Sequence, residues 1–163
     1  MFIGQLDEYG KVMWTDSATD DAVSVPSLKR LEDPESNVDL AISGEVWTAL
    51  LARSEVEAMQ LANHIKVYGR CSPNDKVSIV ATFVKHGYIT LMCGDGGNDC
   101  GALKTAHVGV ALSDSEASIV SPFTSLEKSI TSVLDVLKEG RCALASALKV
   151  YKYELSESMS VGV

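Results

Sequence analysis

Short apolar runs alternate with amphipathic segments along the chain from Asp39 onward. Short runs bounded by turn residues are typical of buried strands, and longer segments with apolar residues three or four apart are typical of helices. Strands that alternate with helices predict an α/β fold, with a parallel sheet and covering helices. The predicted strands are "LAIS", "IKVYG", "YITLMC" and "HVGVAL", and the predicted helices are "EVWTALLARSEVEAMQLANH", "PNDKVSIVATFVKHG" and "NDCGALKTA".

The pattern before Asp39 is different. Residues 1–38 contain a candidate β-hairpin, in which "MFIGQL" and "KVMWT" flank a turn at Glu8-Tyr9-Gly10. The stretch that follows, "DSATDDAVSVPSLKRLEDPESN", is polar and acidic and has few residues suited to a core. We interpret it as a linker or surface insertion.

The last part of the chain predicts two helices. Apolar residues recur at helical spacing in "SLEKSITSVLDVLKEG", and Gly140 is suited to the end of a helix, so we expect this segment to pack on the core. The next stretch, "RCALASALKVYKYE", has an apolar face that ends in tyrosines and lysines. It is interpreted as a docking helix, with an interface helix as the alternative. In "SLEKSITSVLDVLKEG", the apolar residues at helical spacing are Ile130, Val133, Leu134 and Leu137.

Composition narrows the class of protein. A chain of 163 residues with 46% hydrophobic content is long enough for one domain with its own core. The net charge is −8 and the 14 Lys and Arg form no cluster, which argues against nucleic acid or an anionic membrane as a partner. The four cysteines contain no C-x-x-C pair and the three histidines are scattered, so reduced, buried thiols are favoured over zinc ligands or disulfides. No leader follows Met1 and no run reaches about 18 apolar residues, so a soluble chain is expected.

The helix predicted after "IKVYGR" carries its own start and stop signals. They are an N-cap at Ser72, a proline at the first helical position, a capping box completed by Asp75, and Gly87 at the far end. Lys76 then falls in the first turn, near the carboxyl edge of the sheet and on the same side as Asp95. A cation opposes the helix dipole there, which favours a functional role, although an ordinary solvated lysine is the alternative.

The stretch "LMCGDGGNDCG", residues 91–101, is an apolar run that ends abruptly in aspartates and glycines. Strands of open α/β sheets keep their ligands at this carboxyl end. A dinucleotide fingerprint fails because its third glycine position is Asp99, and a Walker loop fails because no G-K-[ST] follows. An EF-hand counted from Asp95 fails too, because its twelfth position is Ala106 rather than a bidentate carboxylate.

The remaining interpretation is a site for a metal ion and a phosphate group at the carboxyl edge of the sheet. Mg²⁺ takes one or two protein carboxylates and fills its other positions with water and phosphate oxygens, so Asp95 with a supporting Asp99 is chemically sufficient. Asn98 supplies a neighbouring amide donor, and Lys76, if it points inward, neutralises charge on a phosphoryl group. The alternative for "GDGGND" is a β-turn in which Asp and Asn are only turn formers.

These residues carry a resemblance to a known family. The stretch "MCGDGGNDCGALKTAHVGVALSDSEASIVSPFTS" resembles the hinge segment of the phosphorylation domain of P-type ATPases. The stretches "NDCGALK", "SEASIVSPFTS" and "EGRCAL" are similar to sequences of the fifth class, the eukaryotic cation or polyamine pumps. "VYGRCSPNDKVSIV" resembles the preceding block of that family, and "LAISGEVW" resembles the strand before it. Together these stretches cover residues 38–153.

The resemblance implies a haloacid-dehalogenase-like (Rossmann-like) fold and an ATPase that works through an aspartyl-phosphate. Asp95 would bind Mg²⁺ and Asp99 would support the metal and the loop. Asn98 would hydrogen-bond the phosphoryl group, and Lys76 would stabilise its charge in transfer. ATP would be the substrate of the complete pump, and this chain would lie at the cytosolic face of an endoplasmic-reticulum, endolysosomal or vacuolar membrane.

The departures from the family are equally informative. The chain contains no D-K-T-G-T, the phosphorylated-aspartate motif, so we expect a part of a pump that is inactive alone. Its partners would be the other half of the phosphorylation domain, a nucleotide-binding domain and membrane helices. We divide it into a variable insertion at 1–38, half a phosphorylation domain at 39–140, and a stalk-like helix and tail at 141–163. The alternatives are a non-catalytic Mg²⁺-binding module and, disfavoured by the missing D-x-D, a soluble phosphatase.

Overall fold

The structure is a computed structural model that describes residues 1–19, 21–23, 39–112 and 116–160. Its strands are β1 (Phe2–Leu6), β2 (Val12–Asp16), β3 (Ala22–Val23), β4 (Leu40–Ser43), β5 (Ile65–Gly69), β6 (Leu91–Gly94), β7 (Val108–Ala111) and β8 (Phe123–Thr124). Its helices are α1 (Gly44–Arg53), α2 (Glu55–Ala62), α3 (Pro73–Lys85), α4 (Cys100–Thr105), α5 (Glu116–Val120) and α6 (Thr131–Ser160), with a 3-10 turn at Gly97–Asp99. The order of elements confirms the α/β class.

The strands form two sheets. One has five strands in the order β3-β2-β1-β4-β5, and the other has three in the order β6-β7-β8. The pairs β1–β4, β4–β5, β6–β7 and β7–β8 are parallel, as expected, and among the described strands the antiparallel pairs are β1–β2 and β2–β3. Because hydrophobic patterning identifies a strand without naming its neighbours, the sequence did not predict that β5 and β6 would lie in separate sheets.

The amino-terminal hairpin is present and belongs to the larger sheet. The carboxylate of Asp7 accepts hydrogen bonds from the backbone N–H groups of Tyr9 and Lys11, which holds the turn between β1 and β2. β1 then lies parallel to β4, with Phe2 opposite Leu40. Most of the acidic stretch that follows lies outside the described residues, and the division of the chain at residues 38 and 140 stays a prediction.

The larger core lies between the five-stranded sheet and the helices α1–α3. At its centre Trp47 is fully buried; its indole N–H donates to Ser78 Oγ at 3.3 Å and its ring meets Tyr68 edge-on at 5.7 Å between centroids. Burial of aromatic surface of this size dominates the stability of a small core. The buried set comprises Trp14, Leu40, Ile42, Val46, Trp47, Leu50, Ala58, Met59, Ala62 and Ile65.

The single helix expected after β4 is in fact two. Ser54 has extended backbone angles, φ −164° and ψ 116°, and separates α1 from α2. Its N–H donates to the Leu50 carbonyl at the end of α1, while its Oγ accepts from the Glu57 N–H at the start of α2. A serine that caps both helices outweighs the continuous helical periodicity around it.

Helix α3 has the ends that the sequence predicts. Ser72 Oγ accepts from the Asp75 N–H, and the Asp75 carboxylate accepts from the Ser72 N–H at 2.8 Å, which is a complete capping box. Hydrogen bonding by Ser72 holds the pKa of Asp75 below its ordinary value, and the bond from the Ser72 backbone N–H has the larger effect. Gly87 follows the helix with φ of 84°. The first turn of α3, which carries Lys76, is therefore firmly held.

The carboxyl-terminal region differs most from expectation. α6 runs from Thr131 to Ser160 without interruption, so the prediction that Gly140 ends a helix is wrong. A glycine inside a helix costs about 1 kcal/mol relative to alanine, which the surrounding helix-forming residues outweigh. The described residues leave most of the predicted packing face of this segment uncovered, because Ile130, Leu134 and Leu137 are 75%, 54% and 52% exposed and only Val133 is half-buried. Among the described residues no helix combines the length and apolar character that a membrane span requires.

Candidate functional site

The loop after β6 brings the predicted site residues to the end of a strand. Gly94 ends β6, and Asp95 follows it with an exposed side chain. The chain then turns through the 3-10 turn, where the Asp99 N–H donates to the Gly96 carbonyl at 3.0 Å. Asn98 is exposed on this turn, whereas Asp99 is buried at 8% exposure. The turn therefore sends one carboxylate outward and one inward.

Lys76 reaches this loop from α3. Its Nζ donates to Asp99 Oδ1 at 2.7 Å, and the two side chains are 35% and 11% exposed. Lys76 therefore points inward, on the same side as Asp95, and is not a fully solvated lysine. A charge-assisted hydrogen bond of this length at a half-buried position is strong enough to hold both side chains in place.

Close packing of α3 on α4 makes that reach possible. A Cβ on Gly101 would lie 2.6 Å from Val77 Cγ2, so a larger residue at position 101 would push the two helices apart. Because Lys76 precedes Val77 and Asp99 precedes α4, the same contact sets the separation of the ion pair. Gly101 thus contributes to the site through packing.

A pocket of about 380 Å³ collects these groups. Lys76, Asp95 and Asp99 all line it, whereas Asn98 is not among the lining residues of the described chain. The other lining residues are Met92, Cys93, Gly94, Leu112, Lys128 and Ile130.

The pocket carries a negative field at its strand end. Burial raises the pKa of the Cys93 thiol, and the carboxylates of Asp95 and Asp99 raise it further. Cys93 is therefore a protonated thiol at neutral pH and lines the pocket as an uncharged residue. All four cysteines are free thiols, but the expectation that they are buried is not met: Cys71, Cys93 and Cys100 are only partly buried, and Cys142 is exposed on α6.

The donor set fits a hard cation better than a transition metal. Within the described residues there is no cluster of three or more His, Cys, Asp or Glu that could enclose a metal. Mg²⁺ needs only one or two protein carboxylates, because water and phosphate oxygens fill its other positions. The Asp95 carboxylate has no hydrogen bond or ion pair to the described residues, whereas Asp99 Oδ1 is engaged by Lys76. Asp95 is therefore the more available ligand.

Two residues near the loop carried no signal in the sequence. Glu116 Oε2 lies 2.6 Å from the position that a Cβ on Gly97 would occupy, so α5 covers the 3-10 turn. Lys128, in the connection from β8 to α6, lines the pocket. Both come from segments distant in the chain, and neither has a spacing that marks it out. Only the packing of β7, α5 and β8 beside β6 brings them here.

Glycines 97 and 101 provide a matched test of this packing. We expect Gly101→Ala to lower the free energy of unfolding by about 1–3 kcal/mol, because the stiff Val77 side chain cannot move away without repacking. Gly97→Ala should change it by less than about 1 kcal/mol, because the end of the exposed Glu116 side chain can rotate. Urea unfolding of both variants measures the difference. Equal losses would contradict the close helix contact at Gly101.

Known proteins of similar sequence identify the family of this chain. No family model matches the sequence. The chain is 39% identical over 146 residues, 90% of its length, to a probable cation-transporting ATPase, catp-6, of Caenorhabditis elegans. It is 41% identical over 134 residues to the vacuolar cation-transporting ATPase YPK9 of Saccharomyces cerevisiae, and 39% identical over 137 residues to the polyamine-transporting ATPase 13A2 of Mus musculus. It spans 11%, 9% and 12% of the lengths of these three relatives.

Among solved structures, the catalytic domain of the CPx-ATPase CopB-B is similar with a TM-score of 0.42 and 24% identity, over 79% of this chain and 58% of that one. The sequence relatives define the class: the chain belongs to the P-type ATPases, and within them to the fifth class. The family resemblance expected from "GDGGND" and its flanking stretches is confirmed.

Proposed function

We propose that this chain forms the Mg²⁺- and phosphoryl-binding edge of a transport ATPase, which hydrolyses ATP through an aspartyl-phosphate to move a cation or a polyamine. Its relatives are named as cation-transporting and polyamine-transporting ATPases. The observation that carries the proposal is the pocket in which Lys76 donates to Asp99 at 2.7 Å beside the open carboxylate of Asp95.

Each acidic residue has its own role in this proposal. Asp95 holds Mg²⁺, because its carboxylate is exposed and not otherwise engaged among the described residues. Bound Mg²⁺ would screen the negative charge of a phosphate group. Asp99 supports the site by fixing Lys76, since its Oδ1 already accepts from the ammonium. The pair of aspartates therefore divides into a ligand and a positioning residue.

Lys76 and Asn98 are the proposed contacts to the phosphoryl group. Lys76 keeps one-third of its side chain exposed, so its remaining ammonium hydrogens can face an anion in the pocket. Its charge stabilises the negative charge that develops on a phosphoryl group during transfer. Asn98 is exposed on the 3-10 turn, where its amide can donate to a ligand that extends beyond the pocket.

The nucleophile and the remaining machinery would come from other parts of a pump. The sequence contains no D-K-T-G-T, and Asp39 lies before β4, at the opposite end of a strand from Asp95. We therefore propose that the chain alone does not hydrolyse ATP and that its partners are the rest of a phosphorylation domain, a nucleotide-binding domain and membrane helices. The vacuolar relative supports a place at the cytosolic face of an intracellular membrane.

Replacing Lys76 with methionine tests the proposal. We expect the affinity for inorganic phosphate in saturating Mg²⁺ to fall at least about tenfold, because a hydrogen bond to a charged group contributes about 1.5–3 kcal/mol. Nuclear magnetic resonance titration of the 163-residue chain measures it. The free energy of unfolding should also fall, by about 1–2 kcal/mol, since Asp99 loses its partner at a buried position.

Lys85→Met is the matched control. Lys85 lies at the other end of α3 and also forms an ion pair, with Glu55 at 2.7 Å, but that pair is exposed and far from the pocket. Its loss should leave phosphate affinity unchanged. Equal effects of the two substitutions, or no Mg²⁺-dependent phosphate binding by the wild-type chain, would overturn the phosphoryl role. Mg²⁺ binding without phosphate binding would favour a non-catalytic Mg²⁺-binding module.

A further inference from the structure

We propose that Lys128 is a second cation of the phosphoryl site and binds the phosphate group together with Lys76. The inference rests on the proposed function and adds a residue to it. Lys128 lines the same pocket as Lys76, Asp95 and Asp99, although it lies more than fifty positions after Lys76 in the sequence.

The connection that carries Lys128 is held by hydrogen bonds. The Ser125 N–H donates to the Ala111 carbonyl at 2.8 Å, which anchors the start of the connection to the end of β7. Ser125 Oγ accepts from the Glu127 N–H at 3.2 Å and from Ser132 Oγ at 2.7 Å. These bonds join the start of the connection to the first turn of α6. Lys128 is therefore presented to the pocket by an ordered turn.

The anchor also explains why Lys128 faces the phosphoryl site. β7 lies between β8 and β6 in the smaller sheet, and the Leu112 N–H donates to the Gly94 carbonyl at 2.9 Å. The ends of β6 and β7 are thus tied together beside Asp95. A turn fixed to the end of β7 lies over the same edge, because the carboxyl ends of parallel strands share one side of a sheet.

The two lysines differ in how their charge is used. Lys76 is paired with Asp99 at 2.7 Å, whereas Lys128 is exposed and has no hydrogen bond or ion pair to the described residues. Lys76 therefore shares its charge between Asp99 and a ligand, whereas the charge of Lys128 remains entirely for a ligand. A lysine ammonium on a flexible stem is well suited to a phosphate oxygen whose position changes during a reaction.

Charge balance identifies the class of ligand. The ionised groups of the pocket are Lys76, Lys128, Asp95 and Asp99, and their charges sum to zero. One Mg²⁺ on Asp95 would give the pocket a charge of about +2, which a phosphate group near its dianionic form matches. Without Lys128 the pocket with bound Mg²⁺ would have a charge of about +1, which does not balance a phosphate dianion. The arrangement selects a Mg²⁺-bound phosphate rather than a neutral ligand.

Lys128→Met is the test, with Lys128→Arg as the conservative variant. We expect the dissociation constant for inorganic phosphate in saturating Mg²⁺ to rise about fivefold in Lys128→Met and to recover largely in Lys128→Arg. The affinity for Mg²⁺ alone should stay the same or tighten up to about twofold, because a nearby positive charge is removed. A general loss of structure would weaken the binding of both ligands, so weaker phosphate binding with undiminished Mg²⁺ affinity identifies a specific role.

Lys149→Met is the control for removal of a charge. Lys149 is exposed on α6 and absent from the pocket lining, so at about 0.15 M salt its loss should change phosphate affinity by less than about 1.5-fold. Equal effects of Lys128→Met and Lys149→Met would overturn the role of Lys128. If Lys76→Met weakens phosphate binding and Lys128→Met does not, only this inference fails. If the wild-type chain binds no phosphate, both proposals fail.

Discussion

Replacing Asp95 with asparagine is expected to weaken Mg²⁺ binding at least about tenfold, which corresponds to about 1.4 kcal/mol, while the free energy of unfolding stays within about 0.5 kcal/mol of the wild type. The affinity falls because Mg²⁺ strongly prefers a charged carboxylate oxygen to a neutral amide. Stability is retained because Asp95 is exposed and makes no hydrogen bond or ion pair to the described residues. Calorimetric titration with Mg²⁺ and urea unfolding measure the two quantities.

Asp39→Asn is a suitable control for this experiment. Asp39 is also exposed, but it precedes β4 and so lies at the amino end of a strand. The substitution Asp39→Asn removes the same charge from the chain but leaves the carboxyl edge with Asp95 unchanged. Unchanged Mg²⁺ affinity in Asp95→Asn, or an equal loss in Asp39→Asn, would remove the metal site and return "GDGGND" to the role of a turn.

Replacing Trp14 with alanine is expected to lower the free energy of unfolding by about 3–5 kcal/mol, the range seen when a large buried aromatic side chain is removed. Trp14 is 1% exposed and packs in the same cluster as Leu40 and Trp47. Since whole domains are stabilised by only about 5–15 kcal/mol, this loss would remove a large fraction of the stability. Urea unfolding followed by circular dichroism measures it without relying on tryptophan fluorescence.

Tyr9→Ala in the turn of the same hairpin supplies the comparison. Tyr9 is 93% exposed, so its loss should change the free energy of unfolding by less than about 0.5 kcal/mol. A cost below about 1 kcal/mol for Trp14→Ala would mean that the hairpin is dispensable, as expected of a surface insertion. A large cost would make β1 and β2 integral to the folded unit that contains β4.

The candidate site was predictable to the extent that it depends on local chemistry. The end of an apolar strand marks Asp95 and Asp99, and the capping signals of α3 locate Lys76 in a first turn. That Lys76 would lie on the same side as Asp95 was expected from the sequence, but β5 and β6 lie in separate sheets, so their meeting in one pocket depends on the packing of α3 against α4. Lys128 and Glu116 were not predictable, because their positions depend on how distant segments pack and not on any spacing around them.

The carboxyl-terminal helix shows the limit of periodicity. Helical spacing identified the apolar face of the segment after Ser125, and that segment is indeed helical from Thr131. Periodicity states which side chains share a face, but it carries no information on whether another element covers that face. The exposed Leu134, Leu137, Leu144 and Leu148 therefore could not be distinguished from core residues by sequence alone.

The sequence by itself determined the α/β class, the alternation of strands and helices from β4 to β7, the ends of α3, and the family to which the chain belongs. These depend on neighbours in the chain, such as apolar spacing, capping side chains and a short motif. Only the tertiary structure decided that the strands form two sheets, that Trp14 enters the core, that Ser54 divides a helix, and that Lys76 pairs with Asp99. Those outcomes depend on contacts between distant segments, whose free energies no local pattern encodes.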